Sequence, residues 1–441
     1  MILVRIFRAF GILLHHHTPE TLLAGFFALC SGLCFIFYSK LLGCIGLVGA
    51  YFLYLSLLAM GEKFCNAVEP YGSCDKLEES MKLGSPPQIC RGELDCATDG
   101  FFRDRDKRVV FLRGVNVSGS SKFPVNCGTH ETAGFFDNEN VSFVGRPFPL
   151  DTADEHFSRI QACGLTFVRL LVPWEAIEHK GPGCYDQEYL DYIREIVRIG
   201  KRHHISFLID PHQDVWSRWT GGDGAPSWTL QVVGFDIAQL HASGAAFTHQ
   251  GHILENGTDV PFPRMTWPSN HHRLAAATMF TIFFGGNDFC PKLKVCGEHA
   301  QDYLQRHYFD AFAKLAETLA SEENVIGFDT LNEPNLGFIG YPDLAKESIF
   351  LRQGPSPTFF ESFQLGDGNS VSVRHYCPTL VHDGLTTLNL HHKRAWSHHC
   401  LWEQHGVWGK DTLSNPVLLQ HDYFRFILPL STCIFFIPAR L

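Results

Sequence analysis

The residues of this sequence that could do chemistry stand in or directly after short apolar runs. Arg169 lies within TFVRLLV, His212 and Asp214 follow ISFLID, and Asn332-Glu333 follows VIGFDTL. Polar residues at the ends of parallel strands gather at one rim of the sheet, where active sites form. Each residue alone has an ordinary structural explanation, such as a buried ion pair or a helix cap. Because several successive strands end in such residues, we expect them to share one site.

The residue types suit the hydrolysis of a glycosidic bond. That reaction needs a carboxylic acid that protonates the leaving oxygen and a second carboxylate that attacks or activates water. Glu333 offers a carboxyl group, and Asn332 can hydrogen-bond a sugar hydroxyl beside the scissile bond. The indole of Trp174 offers a flat apolar face for a sugar ring or a lipid, although most tryptophans simply belong to the core.

Strand-like and helix-like segments alternate from residue 109 onward. Apolar runs predict strands at Val109–Val115, Thr166–Val172, Ile205–Asp210 and Val325–Leu331. Helices are predicted at Asp151–Cys163, Gln187–Arg202, Arg273–Phe284 and Gln301–Ser321. We expect Asp151 or Thr152 to cap the first of these helices. This alternation indicates an α/β fold with a parallel sheet, either doubly wound or the first half of an eight-stranded barrel.

Several segments resemble one branch of glycoside hydrolase family 5. FDTLNEP (Phe328–Pro334) resembles the strand-four signature of that family, whose members are retaining (β/α)8-barrel enzymes. Four further segments are similar to the fungal glucocerebrosidase and steryl-β-glucosidase branch, which is related to endoglycoceramidases. They are RGVNVSGSSKFP (Arg113–Pro124), DPHQDVWSRWTGGDGAPSWTL (Asp210–Leu230), NLGFIGYPDL (Asn335–Leu344) and CLWEQHGVWGKDTLSNPVLLQHDYF (Cys400–Phe424).

The resemblance implies a fold, an activity and a set of site residues. It implies a (β/α)8 TIM barrel and a retaining β-glycosidase that acts on a glucosylated lipid, either a steryl β-glucoside or glucosylceramide. Glu333 would be the acid/base residue. Residues implied to support the catalytic centre are Asn332, Arg169 and His212. Lys122 and Asp214 match family positions that contact the sugar.

The nucleophile of the family, a second Glu at the end of strand seven, is not recognisable in this sequence. Glu347, Glu361 and Glu403 follow the fourth strand, but none stands directly after an apolar strand. We therefore expect a partial barrel at 101–424, with its first half recognisable, and a divergent apolar tail at 425–441. The alternative function is a catalytically inactive, membrane-tethered fragment that at most binds glycolipid.

Residues 1–61 are predicted to be a transmembrane segment. Between Leu22 and Met60 the one charged residue is Lys40, which separates two stretches close to the ~20 residues of a spanning helix. We interpret 21–60 as a helical hairpin, followed by a linker at 62–100. Basic residues on both outer sides would then place the large domain in the cytosol. A single long tilted span would instead place the large domain on the far side of the membrane. A third possibility is that residues 1–60 do not belong to the functional protein.

Composition and motifs argue against several other classes of protein. The chain of 441 residues has a formal net charge of −10 and no basic block, which argues against nucleic acid as a partner. The clusters among its 24 histidines are mostly adjacent pairs, and adjacent residues on a helix rarely share a metal. No nucleotide-binding glycine motif follows a strand. We expect no metal and no cofactor, a membrane and a glucosylated lipid as partners, and the sequence assigns no oligomeric state.

Overall fold

The computed structural model describes residues 88–96, 100–118, 120–127, 131–262, 267–347, 353–377 and 379–425. All of them lie in the compact unit Pro86–Leu441. The predicted membrane segment at 1–61, much of the linker and the tail after Arg425 lie outside these residues. No helix among the described residues is long and apolar enough to cross a membrane.

A parallel sheet of four strands organises the described part of the chain. Its strands are β1 (Gly114–Val117), β2 (Phe167–Pro173), β3 (Ser206–His212) and β4 (Val325–Phe328), paired in that order. The strand order of a doubly wound sheet reverses partway, whereas successive strands of a (β/α)8 barrel are neighbours. The strand order therefore decides between the two predicted folds in favour of the barrel.

The central strands are buried because they carry nearly continuous apolar side chains. Val168 and Leu170 of β2 and Phe207 of β3 have no solvent exposure, which is typical of parallel strands covered on both faces. Pro173 pairs with His212, so β2 and β3 end at the same level. This register brings the polar residues at the two strand ends to one rim.

Helices lie between and after these strands. They are α1 (Leu150–Ala162), α2 (Trp174–Glu178), α3 (Gln187–Arg202), α4 (Ser227–Val233), α5 (His249–Asn256), α6 (Leu274–Phe289) and α7 (Ala300–Thr318). The predicted bounds of α3 are confirmed, and Asp186 caps it by accepting a bond from Tyr189 N at 3.0 Å. The predicted cap of α1 is wrong: its N-cap is Pro149, and Asp151 lies in the first turn, where its charge favours the helix dipole.

Two of the predicted strands are shorter in the structure. β1 begins only at Gly114, because Val109 forms an isolated bridge with Arg103 instead. β4 ends at Phe328, three residues before the predicted end. Beyond it, Asp329 N and Asn332 N still donate to β3 carbonyls at 2.8 and 3.1 Å, but the regular register is lost.

An antiparallel sheet follows β4, in a part of the chain for which no strand is predicted from the sequence. Its strands β5 (Gly354–Ser356), β6 (Val371–Tyr376) and β7 (His382–Leu388) pair in that order, with α8 (Phe359–Gly366) between β5 and β6 in the chain. The remaining elements are short. They include the helix α9 (Leu401–Gln404) and the 3-10 turns Arg218–Thr220 and Trp267–His272. Three pairs of short antiparallel strands complete them: Asp95–Cys96 with Phe102–Arg103, Lys294–Val295 with Glu298–His299, and Trp408–Lys410 with Pro416–Leu418.

Residues at 88–91, within the predicted linker, bind the amino ends of the strands. Gln88 Nε2 donates to Ile205 O at 3.1 Å, directly before β3. Arg91 Nε donates to Val325 O at 3.0 Å, and its other nitrogens bind carbonyls just after α7. Because a helix end leaves carbonyls without intrahelical partners, Arg91 ties this segment to the barrel.

Candidate active site

The guanidinium of Arg169 joins the carboxyl ends of three strands. Its Nη2 lies 2.8 Å from Asp210 Oδ1 of β3 and 3.1 Å from Asn332 Oδ1, which follows β4. Its Nε lies 2.8 Å from Asp329 Oδ2. A planar guanidinium offers donors in fixed directions. Arg169 therefore sets where the β4 end lies relative to β2 and β3.

His212 shares the Asp210 carboxylate with Arg169. Its Nδ1 lies 2.8 Å from Asp210 Oδ2, and its Nε2 lies 3.5 Å from Asp214 Oδ2. Burial alone would lower the pKa of His212, but the hydrogen bonds with Asp210 and Asp214 outweigh burial and raise it to about 9. The ring is therefore an imidazolium at neutral pH, with a donor at both nitrogens.

Lys122 lies between two carboxylates that follow β3. Its Nζ contacts Asp214 Oδ2 directly and lies 3.3 Å from Asp223 Oδ2. Burial raises the pKa of Asp223. Burial would also raise the pKa of Asp214, but the hydrogen bonds from His212 and Lys122 hold it below its usual range. Asp214 is thus the ionised member of the pair.

His212, Asp214 and Asp223 also have the residue types of a metal site, with ligand atoms within 4.8 Å of one another. The Lys122 ammonium, however, contacts both carboxylates and supplies a positive charge there. His212 is moreover held as a cation by its neighbours, whereas a metal needs the neutral imidazole. These residues, which with Lys122 we call the Lys122 cluster, therefore fit a network of charged hydrogen-bonding groups better than a metal centre.

Two buried polar atoms in this cluster have no hydrogen-bond partner at a good distance among the described residues, since the contact from His212 Nε2 to Asp214 Oδ2 is long, at 3.5 Å. They are His212 Nε2 and Asp223 Oδ1, which lie 4.0 Å apart. Buried polar atoms are nearly always satisfied in folded proteins. This pair therefore marks a place where a hydroxyl group can both donate and accept.

The end of β4 is held by Gln213. Its Nε2 donates to Asn332 O at 2.6 Å and to Glu333 O at 3.1 Å, and its own backbone oxygen accepts from Asn332 Nδ2 at 3.0 Å. Asn332 thus has its amide orientation fixed from two sides, by Arg169 and by Gln213. The backbone that carries Glu333 is fixed by the same contacts.

Glu333 itself extends from this fixed backbone into solvent. Its side chain is exposed, and its φ is 39°, in the left-handed region that L residues with a Cβ seldom adopt. Among the described residues, no hydrogen bond or ion pair engages its carboxylate. Strained backbone at a strand end is typical of functional sites, and it leaves this carboxylate free for a substrate.

The predicted site residues therefore converge on one rim, which gives the comparison with known proteins a geometric basis. No family model matches the chain. A glucosylceramidase from Rhizopus delemar is 44% identical over 337 residues, or 74% of this chain and 48% of the relative. An ergosteryl-β-glucosidase from Saccharomyces cerevisiae is 37% identical over 382 residues, or 75% of this chain and 50% of the relative.

A solved structure agrees with these relatives. Sterylglucosidase 1 of Cryptococcus neoformans superposes with a TM-score of 0.70 and 34% identity, covering 77% of this chain and 51% of that one. This chain is similar to the fungal glucosylceramidases and steryl-β-glucosidases over about three quarters of its length. The resemblance read from the motifs is confirmed. The chain spans about half the length of the curated relatives that it matches.

Among the predicted site residues, Trp174 is the most deeply buried. It is 3% exposed, its ring packs edge-on against Trp228 and Tyr308, and its Nε1 donates to Glu178 Oε2 at 2.6 Å. It borders, with His212, a cavity of about 20 Å³. Its contact with substrate stays a prediction.

Two glutamates that follow β4, Glu347 and Glu361, have structural contacts. Glu347 lies 2.8 Å from Arg374 and accepts a bond from Tyr376 Oη at 2.6 Å. Glu361 closes the capping box of α8 with Thr358. The described residues therefore do not identify the nucleophile expected of a retaining glycosidase.

Sequence reasoning left three contributors to the site unassigned: Asp210, Gln213 and Asp223. Asp210 and Gln213 stand inside the run DPHQD, so their adjacency to His212 was a usable signal. Asp223 stands nine residues further on, after two glycines, and nothing in the sequence places it beside Lys122. The loop returns because Asp223 N and Asp214 N each donate to the other residue's carbonyl at 3.0 Å.

Proposed function

We propose that this protein hydrolyses the β-glucosidic bond of a glucosylated lipid, with Glu333 as the acid/base residue. The observation that carries the proposal is the fixed Asn332-Glu333 backbone, held by Arg169 and Gln213 at the carboxyl end of β4. The similarity of the chain to a glucosylceramidase and an ergosteryl-β-glucosidase supports the substrate class.

The proposed roles follow from the contacts. Glu333 donates its proton to the leaving oxygen as the glycosidic bond breaks, and the ionised form then takes a proton from the attacking water. Asn332 and His212 donate hydrogen bonds to sugar hydroxyls, and Lys122 with Asp214 binds a further hydroxyl. In a retaining reaction a second carboxylate forms and then releases the glycosyl ester.

A test compares the purified wild type with Glu333→Gln on a β-glucosyl lipid. We expect a loss of at least ~10²-fold in turnover, the contribution typical of a general acid. Glu188→Gln, an exposed glutamate on α3, is the matched control and should keep the wild-type rate. Equal rates for wild type and Glu333→Gln would remove Glu333 from the mechanism.

A second candidate function is glycolipid binding without hydrolysis, and one observation favours it. Glu347 and Glu361, two glutamates that follow β4, are engaged in structural contacts, so neither is recognisable as the nucleophile. A 2-deoxy-2-fluoro-β-glucoside separates the two functions, because it traps the glycosyl ester of a retaining enzyme. A stoichiometric adduct on a carboxylate supports hydrolysis, and binding of the glycolipid without an adduct supports the second candidate.

We also propose that the protein is associated with a membrane and that its large domain is cytosolic. The support is the apolar sequence at 21–60 and the basic residues that flank it. In sealed vesicles with the cytosolic side outward, added protease should digest the domain. Protection of the domain until detergent is added would contradict the cytosolic orientation.

A further inference from the structure

The backbone that leads from β4 to Glu333 has left the regular sheet. Its neighbour β3 contains Pro211, which has no N–H and therefore cannot donate to a facing carbonyl. The carbonyl of Thr330, between β4 and Glu333, accepts a hydrogen bond from the hydroxyl of Tyr308 at 2.6 Å. A side chain of α7 therefore holds the end of β4 where the regular register has ended.

The position of the Tyr308 hydroxyl is determined by the packing of its ring. The residue is 4% exposed. Its ring packs edge-on against Trp174 and Phe283, with centroids 5.4 and 5.7 Å apart, and lies 4.9 Å from the ring of Phe312. Burial raises the pKa of Tyr308 well above its ordinary value, so the hydroxyl remains a donor. The bond to Thr330 therefore starts from a fixed point.

Glu333 needs such support because its own backbone is strained. Its φ of 39° lies in a region that a residue with a Cβ seldom adopts, and a strained residue persists only where its surroundings hold it. Gln213, directly after β3, fixes the carbonyls of Asn332 and Glu333. Tyr308 fixes the carbonyl of Thr330 from α7. The segment is thus held by side chains from two different parts of the fold.

We propose that Tyr308 is a positioning residue for Glu333 and acts through the backbone between Thr330 and Glu333. The inference rests on the proposed function, in which Glu333 protonates the leaving oxygen. A general acid must lie within hydrogen-bond reach of the atom that it protonates, and a displacement of about 1 Å can cost on the order of 10²-fold in rate. Loss of the Tyr308 hydroxyl therefore weakens protonation of the leaving group and spares a departure that needs no proton.

The test compares two β-glucosides that differ in their leaving groups. When the glycosidic C–O bond breaks, its electron pair stays on the leaving oxygen. A lipid alcohol needs the Glu333 proton at that oxygen, whereas 2,4-dinitrophenolate is a stable anion and leaves without one. In a retaining reaction, kcat/KM reports the steps up to the departure of this group. Tyr308→Phe in the full chain should lower kcat/KM at least about tenfold on the glucosylated lipid, but less than about twofold on the dinitrophenyl glucoside.

Tyr192→Phe is the matched control. Tyr192 of α3 is also 4% exposed, and its hydroxyl donates to Phe148 O at the same distance of 2.6 Å, but Phe148 precedes α1 and lies outside the strand ends that form the site. Both changes keep the ring and remove one buried bond to a carbonyl, so urea unfolding should show similar losses of stability. Tyr192→Phe should leave both kcat/KM values unchanged.

An equal loss on both glucosides would assign Tyr308 a structural role alone, and no loss on the glucosylated lipid would show that Glu333 does not depend on it. Either result would overturn the positioning role. Glu333→Gln is the reference for loss of the acid itself and should show the same preference for the dinitrophenyl glucoside. A wild-type protein that hydrolyses neither glucoside would count against the proposed function, and the positioning role would fall with it.

Discussion

Asp210 lies between two cations, with Arg169 at 2.8 Å from one oxygen and His212 Nδ1 at 2.8 Å from the other. Its side chain has no solvent exposure, so water cannot replace either partner. Such a carboxylate determines both the position and the charge of its neighbours. The proton on His212 therefore depends on a residue whose own side chain has no surface exposed to a substrate.

Asp210→Asn should lower the pKa of His212 from about 9 toward its ordinary value near 6.5. It should also destabilise the fold by about 1–3 kcal/mol, because the charged hydrogen bonds to Arg169 and His212 are weakened while Arg169 keeps its contact with Asp329. The titration is followed by NMR of the imidazole, and stability by urea unfolding. Asp154→Asn removes a comparable contact, to His203 at 2.9 Å, from a carboxylate that is 62% exposed, and should leave His212 unchanged.

The stability of the protein should fall as pH rises from about 6.5 to about 9. The folded pKa of His212, about 9, is above its unfolded value of about 6.5, so its contribution is complete below pH 6.5 and lost above pH 9. The loss is about 3 kcal/mol at most, from 1.4 kcal/mol per pKa unit. Urea unfolding of wild type and His212→Gln at both pH values isolates this term, and parallel pH slopes for the two would contradict it.

At the scale of elements, the long connection after β3 depends on Arg218. This residue joins Glu175 of α2 to carbonyls at Phe135 and Asp137, with its guanidinium 3.8 Å from the ring of Trp219. The same connection carries Asp214 and Asp223, and Val215 and Trp216 within it have positive φ. Strained backbone of this kind persists only where its surroundings hold it.

Arg218→Met should cost about 3–5 kcal/mol of unfolding free energy, because it leaves the Glu175 carboxylate buried and unpaired. Adding Glu175→Leu should recover part of that loss, since no buried charge then remains. Arg306→Met removes a similar ion pair, 2.7 Å from Glu298, at a site that is 46% exposed, and should cost only ~0–1 kcal/mol. A double-mutant cycle in urea without coupling between Arg218 and Glu175 would contradict this account.

Periodicity was sufficient for the elements whose burial is regular. α3 was predicted residue for residue, because Tyr189, Ile193 and Ile196 repeat at helical spacing and are fully buried. The sheet at β5–β7 was not predicted, although the apolar and polar residues at the start of VSVRHY alternate, which is typical of a strand. In the site, residues at strand ends were predictable, whereas Asp223 was not, because its position depends on how a loop returns.

At the scale of the whole molecule, charge and apolar sequence act in opposite directions on membrane binding. The net charge of −10 repels the anionic cytosolic leaflet. Membrane association would therefore depend on the apolar segment at 21–60 and on the bound lipid.

The full chain should accordingly stay in the membrane pellet in about 1 M NaCl, where the Debye length falls to about 3 Å and surface charge is screened. Detergent should release it. Membranes from cells that express the chain are washed with salt, then with detergent, and the fractions are immunoblotted. Release by salt alone would show that the attachment is electrostatic and would contradict the membrane-segment prediction.

The Lys122 ammonium contacts two carboxylates, and one oxygen of each lies within 4.8 Å of the other and of an imidazole nitrogen of His212. Lys122→Ala would remove that ammonium and leave one nitrogen and two oxygen ligands, a donor set that zinc and cobalt accept. A single substitution in the native chain would therefore create a candidate cobalt site. Its visible absorption would report whether the loop from His212 to Asp223 has closed, without any substrate.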